Sequence, residues 1–191
     1  TSSQAIINGL AEDGGLYIPE NLEDLKLDYH EVIQQDYPGM AETVLGKFFS
    51  DFDEETIEKV VSRSYTGTFD QENPAPLVEL APWLNILELW HGPTCAFKDV
   101  ALSALPNLMV ESMRMNDFQD EILILTATSG DTGSAALHGF SDVPGTKIIV
   151  FYPEGGVSET QRLQMVTQDG KNTCAVAVRG NFDDAQSGVK K

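Results

Sequence analysis

Lys98 is the residue of this chain whose neighbours best suit it to covalent chemistry. It lies in Trp90-His91-Gly92-Pro93-Thr94-Cys95-Ala96-Phe97-Lys98-Asp99, and the apolar run Val100-Ala101-Leu102 follows. An ammonium set among apolar residues at the start of a helix is disfavoured by burial and by the positive helix end. Both effects would favour a neutral amine able to form a Schiff base. The plainer account is a lysine that snorkels to the surface or pairs with Asp99. Local sequence leaves both open.

The second candidate is the loop Ala127-Thr128-Ser129-Gly130-Asp131-Thr132-Gly133-Ser134. Its glycines allow close backbone approach, and a following helix would offer free N–H groups and a positive dipole end to a carboxylate or phosphate. It is neither a dinucleotide nor a P-loop fingerprint. The competing account is that Asp131 or Thr132 merely caps a helix. Metal chemistry is not expected. Cys95 and Cys174 lack metal-ligand spacing, and His30, His91 and His138 are scattered.

The elements that must hold these residues fall into two textures. Residues 1–75 carry 16 Asp or Glu against 4 Lys or Arg, out of a whole-chain net charge of -18. Such a balance argues against nucleic acid and for a solvated acidic surface. In this part Glu12-Asp13-Gly14-Gly15-Leu16-Tyr17-Ile18-Pro19 reads as a turn before a short extended piece. From about Leu22 to Thr66 the spacing of Tyr29, Val32 and Ile33, and of Ile57, Val60 and Val61, predicts amphipathic helices packed on a core. Asn73-Pro74-Ala75-Pro76 breaks the helical pattern and reads as a linker or crossover.

Residues 76–191 read as an α/β domain. Pro106 should kink the helix that follows Lys98. Apolar runs Ile122–Thr126, Lys147–Tyr152 and Thr173–Val178 alternate with helical stretches, the second of which opens on a Ser158/Gln161 capping box. The order is βαβαβα, which predicts a parallel sheet covered on both faces with right-handed crossovers. No apolar run is long enough for a membrane span, and no secretory signal opens the chain, so a reducing cytoplasm is the expected setting. Both chain ends are abrupt, which suggests a piece of a longer protein.

Four blocks, in order, resemble the threonine synthase family. They are Gly9–Pro19, His91–Asp99, Ala127–Ala136 and Tyr152–Gln161. These are pyridoxal-phosphate enzymes of the tryptophan-synthase-β fold type (fold type II), and the resemblance covers nearly the whole chain. It implies that Lys98 carries pyridoxal 5′-phosphate as a Schiff base and that Ser129, Gly130, Asp131 and Thr132 receive the substrate α-carboxylate. Asp131 falls where relatives of the fold type often place an asparagine near the cofactor's 3-hydroxyl. Phe97 and Asp99 would position the lysine. The implied reaction converts O-phosphohomoserine and water into threonine and phosphate, with Lys98 as the proton shuttle. The family's loop for the cofactor phosphate would lie beyond Lys191, with Gly180-Asn181-Phe182-Asp183 a decoy at a strand-to-helix turn. The 191 residues alone would then bind cofactor poorly and not turn over. The alternatives are another lyase of the same fold type, such as a dehydratase or sulfhydrylase, or a catalytically silent threonine-synthase-like binding protein.

Overall fold

Residues 1–190 are described by a computed structural model, and they form two compact units. One comprises Thr1–Pro74 with Asn107–Gln119, and the other Ala75–Pro106 with Asp120 onward.

The first unit is helical. It holds α1 (Ser2–Asn8), a 3-10 turn (Leu22–Leu25), α2 (Tyr29–Val32), α3 (Tyr37–Phe48) and α4 (Glu54–Tyr65). Asp36 and Asp53 begin α3 and α4 as N-caps, accepting from the amides of Gly39 and Thr56. The turn expected at Gly14-Gly15 is present, with Ala11 N–H donating to Gly15 C=O and Gly14 N–H to Ala11 C=O.

Packing separates the two apolar sets read from the sequence. Ile57, Val60 and Val61 join Phe52 and Leu108 in a buried cluster. Tyr29 and Ile33, by contrast, stay 69% and 46% exposed, so the core face expected of α2 is not there. α2 has only four residues, a single turn that presents too short a stripe to be buried along its length. α1 escaped the sequence reading. Its first turn is held by Asp51, which accepts from Ser2 N–H (3.1 Å), Ser3 N–H (3.1 Å) and Ser3 Oγ (2.6 Å).

In the second unit β1 (Leu77–Ala81) and β2 (Leu84–Leu87) pair antiparallel, a hairpin beyond Asn73–Pro76 that the sequence reading did not include. Helix α5 (Asp99–Met115) follows and runs on through Pro106, its residues from Asn107 belonging to the first unit. Proline lacks the N–H that would bond Leu102 C=O. Gly139 packs so closely against that carbonyl that a Cβ there would collide with the oxygen.

The sheet expected from the sequence is present as β3 (Ile122–Ala127), β4 (Thr146–Pro153) and β5 (Thr173–Val178), parallel and in the order β3-β4-β5. Between them lie α6 (Asp131–Gly139) and α7 (Glu159–Val166), and α8 (Phe182–Val189) follows. α6 packs on β4 and α7 on β5, the two helices touch, and α8 returns to β3 and β4. Central β4 is largely buried, but Leu123 and Leu125 of β3 are 53% and 43% exposed, so cover on both faces does not extend to this edge strand. At Gly180-Asn181-Phe182-Asp183, Asn181 and Asp184 form a reciprocal capping box that satisfies the local donors, as befits a strand-to-helix turn.

Candidate active site

The lysine segment is a tight loop that ends in a helix. Cys95 N–H closes a turn onto Gly92 C=O at 3.0 Å, with Cys95 itself in the left-handed region (φ 59). Asp99, the first residue of α5, is buried and organises the loop by accepting from Thr94 N–H (2.8 Å), Thr94 Oγ1 (2.6 Å) and Ala96 N–H (3.4 Å). Gly92 is required by this packing, because a Cβ there would lie 2.5 Å from Asp99 Cβ. Lys98 C=O then accepts from Leu102 N–H at 2.9 Å as the helix begins.

Asp99 is therefore spent on the loop, not on Lys98, and the pairing account of this lysine fails. The lysine is half-buried, not enclosed as its apolar neighbours suggested, because Phe97 beside it is exposed. Its Nζ lies 4.7 Å from the Phe97 ring centroid, a cation–π contact. Among the described residues no carboxylate is paired with it.

The glycine loop is built from within. Thr128 Oγ1 accepts from Gly130 N–H (2.9 Å) and Gly133 N–H (3.0 Å) and donates to Gly130 C=O (3.0 Å). Gly130, with φ 150, is the N-cap of α6 and has no side chain with which to cap it; the Thr128 hydroxyl accepts from the first turn instead. The account in which Asp131 or Thr132 serves only as a cap is thereby excluded. At Gly133 a Cβ would meet Thr128 Cγ2 at 2.6 Å, Met165 Sδ at 2.8 Å and Val150 Cγ1 at 2.9 Å, so glycine is needed to seat the loop on the sheet.

Of the residues singled out from sequence, Lys98 and Thr132 meet. They line one open cleft of about 510 Å³ with Phe97, Val100, Ala101 and Leu102. Ser129 and Asp131 are exposed and Gly130 is buried, and none of the three lines that cleft. Asp131 Oδ1 instead accepts from Gln161 Nε2 at 2.6 Å. The fourth sequence block thus reaches the third through a side chain whose capping role alone was legible. Gln164, one turn further along α7, donates to Thr94 C=O at 3.1 Å. Thr128, Gln161 and Gln164 were missed as site residues. For Thr128 the signal was a hydroxyl two residues before a glycine, a common local backbone cap.

Residues 1–65 match the family described as the threonine synthase N terminus. A threonine synthase of Schizosaccharomyces pombe is 38% identical over 197 residues, which cover 98% of this chain and 38% of that protein. One of Pseudomonas aeruginosa is 40% identical over 194 residues, covering 97% of this chain and 39% of the relative. Over nearly its whole length the chain therefore matches about two fifths of the length of threonine synthases. A crystal structure described as PLP-bound threonine synthase from Brucella melitensis superposes with a TM-score of 0.85 at 36% identity, covering 99% of this chain and 40% of that one. All five parallel-sheet and crossover elements from β3 to β5 fall inside the region compared. Among the described residues, no helix is long and apolar enough to cross a membrane.

Proposed function

We propose that this chain carries the reactive lysine and the substrate loop of a threonine synthase, which converts O-phosphohomoserine and water to threonine and phosphate with pyridoxal 5′-phosphate in the cytoplasm. The observation that carries this reading is the cleft shared by Lys98 and Thr132. There an amine without a carboxylate partner faces the first turn of a helix preceded by a glycine loop. The fit to the cofactor is chemical. An unpaired amine can condense with an aldehyde, the cleft has the volume of a small-molecule site, and the walls Val100, Ala101 and Leu102 are apolar.

The bound cofactor would supply the electron sink for carbanion chemistry. The chain's own residues do the rest. Lys98 would hold the cofactor, and its amine would be the base nearest to hand for moving protons at the substrate carbons. The N–H groups at the start of α6, with the Thr132 hydroxyl, suit the substrate α-carboxylate. The Asp131 side chain, an acceptor when ionised, does not suit a carboxylate and is better matched to a donor such as the cofactor's hydroxyl. Phe97 and the Asp99-braced loop orient Lys98.

Borohydride reduction of the protein at its natural length, loaded with pyridoxal phosphate, tests this. Label at Lys98 and phosphate release from O-phosphohomoserine are expected. Label only elsewhere would remove Lys98 from the chemistry. Labelling without phosphate release would favour the catalytically silent relative. Release of a product other than threonine would favour a different lyase of the same fold. The 191 residues alone are expected to show neither tight cofactor binding nor turnover, and phosphate release by the isolated chain would overturn that expectation.

A further inference from the structure

The Asp131–Gln161 contact carries more than a cap. Gln161 is the third residue of α7, and its Oε1 accepts from Ser158 N–H at 3.1 Å while its backbone N–H donates to Ser158 Oγ at 3.2 Å. With Oε1 committed to a donor, the amide has one polarity available, and Nε2 must face outward as a donor. It donates to Asp131 Oδ1 at 2.6 Å, across 30 residues of sequence. The same amide lies directly over Gly130, where a Cβ would collide with Nε2. The absent side chain at position 130 is thus what admits the amide to Asp131. Gln164, one turn further along the same helix, holds Thr94 C=O in the lysine loop, so α7 reaches both loops.

We propose that Gln161 is a positioning residue, which holds the Asp131 carboxylate by one oxygen and leaves Oδ2 as a single directed acceptor for a hydroxyl donor on the bound ligand. Among the described residues no protein donor reaches Oδ2. An asparagine at position 131 would carry an acceptor and a donor of its own. A carboxylate carries no donor, and Gln161 supplies the missing one from outside the loop. The inference rests on the proposed reading, in which this loop faces the cofactor.

The test separates the two. Gln161→Glu keeps the reciprocal cap, because glutamate fills that position as well as glutamine, but it sets a carboxylate against Asp131. At natural length the variant should still fold, with a modestly lower urea midpoint, because the same exposed bond is lost in the unliganded protein. It should bind pyridoxal phosphate on the order of tenfold more weakly, judged by visible absorbance, as loss of a hydrogen bond to a charged group implies. Asp131→Asn combined with Gln161→Glu should bind more tightly than Gln161→Glu alone, since the introduced side-chain amide can donate to the new carboxylate at position 161 and keep its oxygen for the ligand. Unaltered affinity in Gln161→Glu, or a double variant no tighter than Gln161→Glu, would overturn the positioning role while leaving Lys98 labelling intact. Absence of borohydride label at Lys98 in the unsubstituted protein would overturn the proposed function, and the inference with it.

Discussion

Two polar centres of this molecule treat charge in opposite ways. In the helical unit Glu111 of α5 is 2% exposed and saturated, with Lys59 Nζ bridged to it, Arg114 Nε at 2.7 Å and Arg63 Nη1 at 3.5 Å. Burial alone would push its pKa up, but hydrogen bonds from Lys59 and Arg114 prevail and hold it below the usual carboxylate range. In the α/β unit the carboxylates Asp99 and Asp131 are occupied by a loop and by an amide, and the cation Lys98 is left with an aromatic face. Where every charge has a partner, the cluster can only stabilise. A charge without one is available to a ligand.

The sharpest way to break this contrast is Lys98→Ala. Borohydride label and phosphate release should vanish, while the stability read by urea unfolding moves by no more than about 0.5 kcal/mol, as for an unpaired, partly exposed side chain. A large loss of stability would mean that Lys98 is structural after all. Glu111→Gln should do the reverse and cost about 3 kcal/mol, because it breaks a buried ion cluster, with Lys98 labelling of the folded protein unchanged. The pH dependence has a definite sign. The folded-state pKa of Glu111 is depressed, so its contribution is present above the ordinary carboxylate pKa and is lost as pH falls through the folded value. The gap between the native protein and Glu111→Gln in urea titrations should therefore close in acid. A gap that widened there would show that the cations do not hold the carboxylate.

Within the glycine loop, Thr128→Val preserves shape, strips Gly130 N–H of its acceptor and leaves Gly133 N–H with only Gly130 C=O, for an expected loss of about 1.5 kcal/mol. Hydrogen exchange at Gly130 and Gly133 should quicken, and unchanged exchange would show that the hydroxyl does not order the loop. The smallest effect belongs to Asp51→Asn. It leaves one carbonyl oxygen to serve Ser2 and Ser3 and should cost about 1 kcal/mol, read by thermal unfolding.

Much of the α/β unit was legible because its signals are local. β5 runs from Thr173 to Val178 as its apolar run indicated, while β3 extends its run by one residue at one end and β4 by one at each end. The Ser158/Gln161 box is present in both halves, since a cap is made by residues three apart on one helix turn. Lys98 does stand at the start of a helix, because Asp99 opens α5. The four ordered blocks likewise pointed to the family before any coordinates did.

Other features depended on residues far apart in sequence. Tyr29 and Ile57 follow the same periodic rule, yet one is solvated and the other buried, since periodicity marks an apolar face and says nothing of what covers it. Whether Lys98 paired with Asp99 hinged on Gly92 leaving room for the carboxylate and on Thr94 binding it. The α5 helix continues past Pro106, and Gly139 of α6 sits against the Leu102 carbonyl that proline leaves without its helical donor, a contact across the fold. The partner of Asp131 lies 30 residues away on α7. By itself the sequence determined which residues could react and which elements would carry them, because those depend on side-chain type and short-range spacing. Which charges would be satisfied, and so which one remained free for chemistry, was decided only when the tertiary structure brought distant donors and acceptors within bonding distance.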